Sequence, residues 1–204
     1  MNEAGPGSVT RTSRTTWQKI ARRIRVPLGF VFAAVFLWLA RPNWQSMLGS
    51  LLLVVPGLWL RGYAAGYVRK NSELTTTGPY AYTRNPLYLG SMLIAFGFAA
   101  ASGRWIIVVV LAALFLAIYV PTILSEEEFL RGQFPGFDAY AAKVPRLLPR
   151  LTPAKTDGEA GSLTSGLEGN FSQQLYLHHR EYNAAMGAAA IYAALAMLLW
   201  LKHR

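Results

Sequence analysis

The chain has 204 residues, 53% of them hydrophobic, no cysteine, and a formal net charge of +10. The absence of cysteine excludes disulfides, thiolate metal sites and a covalent cysteine nucleophile. The apolar residues gather in long blocks, which points away from a soluble domain and toward a polytopic helical membrane protein.

Residues 1–14 are rich in Gly, Ser, Thr and Arg and read as disordered. Trp17, Ile20, Ala21 and Ile24 then fall at helical spacing among Lys19, Arg22, Arg23 and Arg25. That pattern predicts an interfacial helix on an anionic membrane surface, closing a basic N-terminal region over 1–25. The first apolar block, Val26–Ala40, ends in Trp38-Leu39-Ala40 without a small-x-small cleavage site, so it reads as an uncleaved anchor. The second, Ser46–Val68, is interrupted by Pro56, Gly57 and Arg61. These two blocks make residues 26–70 the expected first pair of spans. The third block, Leu87–Ala100, is short and rich in Gly and Ala, and only Ala101–Arg104 separates it from the uncharged fourth, Trp105–Leu124. A tight helical hairpin follows from that spacing. The last block is Ala184–Leu201. Crossing the hydrocarbon core takes about 20 apolar residues. The second, fourth and fifth blocks are long enough, whereas the first and third must tilt or use their flanks. The expected fold is an all-α bundle of about five transmembrane helices, with four as the fallback.

Six basic residues precede the first span, four lie between Arg61 and Pro86, and six lie in 125–183, while the opposite turns carry Arg41 and Arg104 alone. The positive-inside rule then puts the N-terminus and both polar clusters on the cytoplasmic side. It also accounts for the net charge without a nucleic-acid partner. Residues 71–151 form the expected core unit, 152–169 a Gly/Ser/Thr/Asp-rich linker, and 170–204 a C-terminal transmembrane helix that begins near Phe171.

Two polar clusters sit at one end of the hairpin. In the first, Gly78-Pro79 signals a turn, and Pro86 disfavours helix at Asn85, so a helix is expected to start at Pro86 or Leu87. Arg84 and Asn85 would precede its N-terminus, where free amides and a partial positive charge suit a carboxylate or phosphate. Taken alone, an Arg and tyrosines at a membrane boundary read as interfacial anchors. The second cluster, Ser125-Glu126-Glu127-Glu128, reads as a capping box opening a cytosolic helix over 126–133. Its carboxylates are also the groups that accept bidentate hydrogen bonds from vicinal hydroxyls. Phe134-Pro-Gly-Phe137, Tyr140 and Val144-Pro-Arg-Leu-Leu-Pro-Arg150 read as a segment along the membrane surface. His178 and His179 point in different directions on a helix, and no metal site is expected. Arg180, Glu181, Tyr182 and Asn183 read as boundary anchors.

Together, Gly78-Pro79-Tyr80, Arg84-Asn85-Pro86-Leu87-Tyr88-Leu89-Gly90, Glu126-Glu127, Leu130, Tyr140 and Val144-Pro-Arg-Leu-Leu-Pro149 resemble the isoprenylcysteine carboxyl methyltransferase family. The wider group includes the phospholipid N-methyltransferases. The resemblance covers roughly residues 75–150 in order and spacing. It implies a small membrane enzyme that uses S-adenosylmethionine in a cytoplasmic-side pocket. Arg84, Asn85, Pro86, Tyr88 and Gly90 fall on the family's Arg-His-Pro-x-Tyr-x-Gly motif, and Glu126 and Glu127 on its paired glutamates. Gly78, Tyr80 and Tyr82 complete the expected cofactor-binding set, in which Arg84, Asn85 and Glu127 are the expected catalytic residues. Arg84 would take the cofactor's carboxylate and Glu126 or Glu127 its ribose, with the tyrosines around adenine and sulfonium. Asn85 stands where the family has histidine, so that position can hydrogen-bond but not titrate. The stretch from Leu130 to Phe137 is one residue short, and a phenylalanine replaces the first family tyrosine. The expected acceptor is a lipophilic or prenylated molecule that enters from the bilayer among membrane lipids. Rival expectations are a phospholipid N-methyltransferase, a sterol-type reductase using NADPH, and a membrane scaffold without catalysis. The acid at Glu126–Glu128 disfavours NADPH. Nothing in the sequence specifies an oligomeric state.

Overall fold

The computed structural model describes residues 33–68, 73–154 and 171–202. The chain divides into two units, residues 1–38 and 39–204. In the first, the described residues 33–38 are helical. The expected interfacial helix over 17–24, the start of the first span and most of the 152–169 linker lie outside the described residues.

The second unit is built from α1 (Trp44–Ala65), a 3-10 turn (Gly78–Ala81), α2 (Pro86–Ala101), α3 (Trp105–Gln133), α4 (Phe137–Lys143), α5 (Gln173–His178) and α6 (Tyr182–Lys202). The described residues contain no strand, so the fold is an all-helical membrane bundle. α1, α3 and α6 are long and apolar enough to cross a membrane, whereas α2 has 16 residues. At about 1.5 Å per residue α2 spans about 24 Å, short of a roughly 30 Å core.

α1 starts on a complete capping box: the Asn43 side chain accepts from the Ser46 amide, and Ser46 answers the Asn43 amide. It packs against α2 through small residues. A Cβ on Gly57 would lie 2.8 Å from the Gly90 carbonyl, and one on Gly90 would lie 2.9 Å from the Gly57 carbonyl. Backbone meets backbone there, the close approach that small residues permit between membrane helices. The Gly and Ala of α2 are therefore its packing surface. Gly103, with φ +66, turns α2 into α3, and the Arg41 amide donates to the Ser102 carbonyl at 2.7 Å beneath it.

Two sequence expectations change. The helix expected to open at Ser125 is the continuation of α3, which runs unbroken past Leu124 to Gln133 and takes one π-turn at Phe115–Tyr119. No capping box forms; the Ser125 hydroxyl donates back to the Thr122 carbonyl at 3.0 Å. The change in hydropathy marks the edge of the apolar stretch and not the end of the helix. The single C-terminal helix from Phe171 is two helices. Arg180 sits at φ +52 between α5 and α6, and this break turns Glu181 toward α1.

Glu181 there forms a two-pronged ion pair. Arg61 Nε and Nη2 each donate to its carboxylate at 2.9 Å, and Arg61 Nη1 donates to the Ser91 hydroxyl of α2. Midway along α6, the Tyr192 hydroxyl shares a 2.6 Å hydrogen bond with Ser50 of α1. Arg61, read from sequence as an interruption, joins three helices at the end that carries the polar clusters.

Candidate functional site

Helix α2 begins at Pro86 because proline has no amide hydrogen to satisfy and its fixed φ suits a first helical position. Asn85 is the N-cap, but its side chain makes no cap hydrogen bond. It reaches across to α3 instead, where Asn85 Nδ2 donates to Glu127 Oε1 at 3.2 Å and to the Arg146 carbonyl at 2.9 Å. Arg84 Nη1 donates to Glu127 Oε2 at 3.3 Å, and Arg146 Nε donates to both oxygens at 3.1 and 3.2 Å. Glu127 is 4% exposed. One buried carboxylate thus gathers α2, α3 and the segment after α4, and its lone pairs are committed to them.

That segment runs alongside the 3-10 turn. The Arg84 amide donates to the Pro145 carbonyl, the Arg150 amide to the Tyr82 carbonyl, and the Ala154 amide to the Ala81 carbonyl, each at 2.9 Å. Thr83 Oγ1 adds a bond to the Leu147 carbonyl at 3.0 Å. Below the turn, Phe137, Tyr140 and Val144 form a buried cluster against Leu74, Leu130 and Phe134. The Tyr140 hydroxyl donates to the Tyr80 carbonyl at 2.7 Å. Burial pushes the phenols of Tyr80 and Tyr140 well above their usual range, so both stay neutral donors.

These elements enclose a cavity of about 320 Å³, within the roughly 300–1,000 Å³ of small-molecule sites. Of the residues singled out from sequence, Arg84, Asn85, Pro86, Tyr88, Glu126, Glu127 and Tyr80 line it. Thr75, Phe129, Phe134 and Tyr140 also line it. Two buried polar atoms of the lining residues have no partner among the described residues, Arg84 Nε and Thr75 Oγ1. Such atoms cost about 1–3 kcal/mol each when nothing satisfies them. The paired glutamates have different surroundings: Glu127 is buried in its ion pairs, while Glu126 is exposed on the cavity wall near the Tyr88 hydroxyl.

Three of the expected residues lie elsewhere. Gly78 sits at φ +59 in the turn, and a Cβ there would meet the Tyr67 ring at 2.5 Å. Gly90 faces α1. Tyr82 is exposed and does not line the cavity. Conversely, sequence reasoning assigned no site role to Arg146 or Tyr140, although both stand in the stretches that carried the resemblance.

Beside this cavity, a second of about 180 Å³ lies between α2 and α3, lined mainly by apolar side chains and by Tyr119. The Tyr119 ring meets Tyr88 edge-on at 5.7 Å and stacks on Phe115 at 5.0 Å. The π-turn positions both of these α3 rings.

The fold is that of a helical membrane protein, with a cavity of small-molecule size at the end of the α2–α3 hairpin. Residues 44–136 match the phospholipid methyltransferase family model, a family of the isoprenylcysteine carboxyl methyltransferase and phospholipid methyltransferase group. It is similar to the cobalt-zinc-cadmium resistance protein CzcN of Cupriavidus metallidurans, 36% identical over 137 residues, covering 63% of this chain and 62% of that protein. It is also similar to the nickel-cobalt-cadmium resistance protein NccN of Alcaligenes xylosoxydans xylosoxydans, 39% identical over 107 residues, covering 52% of this chain and 49% of that protein. The similarity therefore spans less than two thirds of the length of either relative. No solved structure matches the chain.

Proposed function

We propose that this protein is a membrane methyltransferase that uses S-adenosylmethionine to methylate a lipophilic acceptor, with the cofactor in the 320 Å³ cavity. The observation that carries this reading is a cavity with aromatic and acidic walls whose lining residues include Arg84 and Thr75, each with a buried polar atom, Nε and Oγ1, that has no partner among the described residues. A carboxylate is the ligand group that pairs best with a guanidinium. Arg84 holds it, and Glu127, through its bonds to Arg84, Asn85 and Arg146, fixes where Arg84 points. Glu127 is therefore a positioning residue. Glu126 is the acid left for the ribose hydroxyls, and Tyr80 and Tyr88 offer aromatic faces to a cation.

When bound, the cofactor supplies an electrophilic methyl group on a sulfonium. Transfer of that group is an in-line displacement, so the chain contributes approach geometry and exclusion of water. The lack of a titratable side chain at Asn85 is compatible with an acceptor that is already a carboxylate. The apolar slot between α2 and α3 gives the acceptor's hydrocarbon a place beside Tyr88. The exposed Glu126 favours a second reading, a lipid amine held as a cation and methylated on nitrogen.

The relatives' names concern metal resistance. Among the described residues, no three His, Asp or Glu gather as a metal site. We infer that any part this chain plays in metal tolerance runs through a methylated membrane component. Labelled methyl transfer from S-adenosylmethionine into a native membrane extract tests the reading. Base-labile label identifies an ester and base-stable label an N-methyl amine, whereas no incorporation would overturn methyl transfer.

A further inference from the structure

The segment that follows α4 carries a feature that the cofactor site does not use. Leu148 is 75% exposed and Leu151 is 100% exposed. Single exposed leucines are ordinary, but these two are held out. The Arg84-to-Pro145, Thr83-to-Leu147, Arg150-to-Tyr82 and Ala154-to-Ala81 hydrogen bonds fix the backbone on both sides of them. The strap cannot turn inward to bury them without breaking those bonds. Residues 143–151 also carry Lys143, Arg146 and Arg150 and no acidic side chain. The Arg146 side chain stays 48% exposed even while it pairs with Glu127.

Helix α3 gives the level of this strap in the bilayer. Its apolar stretch Trp105–Leu124 has the roughly 20 residues that match a 30 Å hydrocarbon core. Glu127 lies three residues beyond Leu124, about 4.5 Å along the axis. Arg146, 3.1 Å from Glu127, therefore stands at the depth of the lipid phosphates. Leucine beside arginine at that depth is the pairing that interfacial segments use: apolar groups reach the acyl boundary, and basic groups meet anionic headgroups.

We propose that residues 145–151 form an interfacial anchor, with Leu148 and Leu151 in the acyl boundary and Arg146 and Arg150 against anionic lipid phosphates. Arg146 ties this anchor to Glu127, so lipid charge orders the wall of the cavity. The anchor stands whatever chemistry the cavity performs.

The cysteine-free chain makes the test direct. Leu148→Cys, Leu151→Cys and a control, Asp138→Cys, are each labelled with a nitroxide in nanodiscs of zwitterionic lipid with or without anionic lipid. Labels at 148 and 151 are expected to relax with oxygen and resist a water-soluble nickel reagent, and the control is expected to do the reverse. The anionic discs should deepen the labels. Arg150→Gln should weaken the preference for retained anionic over zwitterionic lipid by about five-fold, the share of one basic residue near a charged surface. Labels at 148 and 151 as open to the nickel reagent as the control would overturn the anchor. Insertion indifferent to lipid charge, with Arg150→Gln unchanged in preference, would overturn its anionic partner.

Discussion

Removing the Glu127 carboxylate is the most informative perturbation of the site. Glu127→Ala strands two guanidinium groups that now share one counter-charge. Arg84 is 12% exposed and Arg146 is 48% exposed, so the cost falls unequally on them. Taking one partner from a buried ion pair typically costs about 3–5 kcal/mol. Water recovers much of the share of Arg146, which places the expected loss near the low end, about 3 kcal/mol. Glu127→Gln keeps the shape and an acceptor for Asn85 but loses the charge, so about 1.5 kcal/mol is expected. The stranded charge also predicts a sign. Adding Arg146→Gln to Glu127→Ala should recover about 1 kcal/mol, because neighbours in one network do not add. Reversible unfolding in mixed micelles, followed by tryptophan fluorescence, measures all three. A Glu127→Ala protein within about 0.5 kcal/mol of the parent, with no recovery from the second change, would refute the idea that this carboxylate assembles the site.

Arg61→Ala and Glu181→Ala should each destabilise the bundle, and the double variant should fall short of their sum by about 0.5–3 kcal/mol in a double-mutant cycle; additivity would deny the pair any energetic role. Gly90→Ala puts a methyl 2.9 Å from the Gly57 carbonyl and 2.7 Å from Arg61 Cγ. It should cost about 1–3 kcal/mol, whereas Gly132→Ala, with open space around it, should be neutral or stabilising in the same melt. Burial raises the phenol pKa values of Tyr80 and Tyr140 in the folded state. Below the unfolded value of about 10 neither state is ionised; above it the unfolded chain sheds protons first. Stability should therefore fall with rising pH from about 10, by up to about 1.4 kcal/mol per unit for each tyrosine. Tyr140→Phe should shallow that slope in an alkaline unfolding series, and an unchanged slope would count against the burial.

The fold was largely legible because apolar length and proline placement act locally. The run from Trp105 and the start at Pro86 are set by side chains within a turn or two, and both stand in the structure. Ser125 misled because a capping motif and a membrane boundary use the same residue types, and only the continuous backbone separates them. Arg61 was visible as an oddity in an apolar block, but its partner lies 120 residues away, a pairing no local pattern encodes. The same limit applies to Glu126 and Glu127. Adjacent positions on a helix point apart by about 100°, so one is buried among arginines and the other is exposed on the cavity wall, and the sequence cannot rank them. Gly90 fell on the family motif, yet its place at the α1–α2 contact needed the helix pair to be seen.

The central claim is that the cavity holds the methyl donor. Titration calorimetry of the purified protein with S-adenosylhomocysteine and, separately, with NADPH tests it most directly. Binding of S-adenosylhomocysteine alone is expected, weakened at least ten-fold, about 1.4 kcal/mol, by Arg84→Ala. Binding of NADPH instead, binding of neither, or an affinity indifferent to both Arg84→Ala and Glu127→Ala would contradict it.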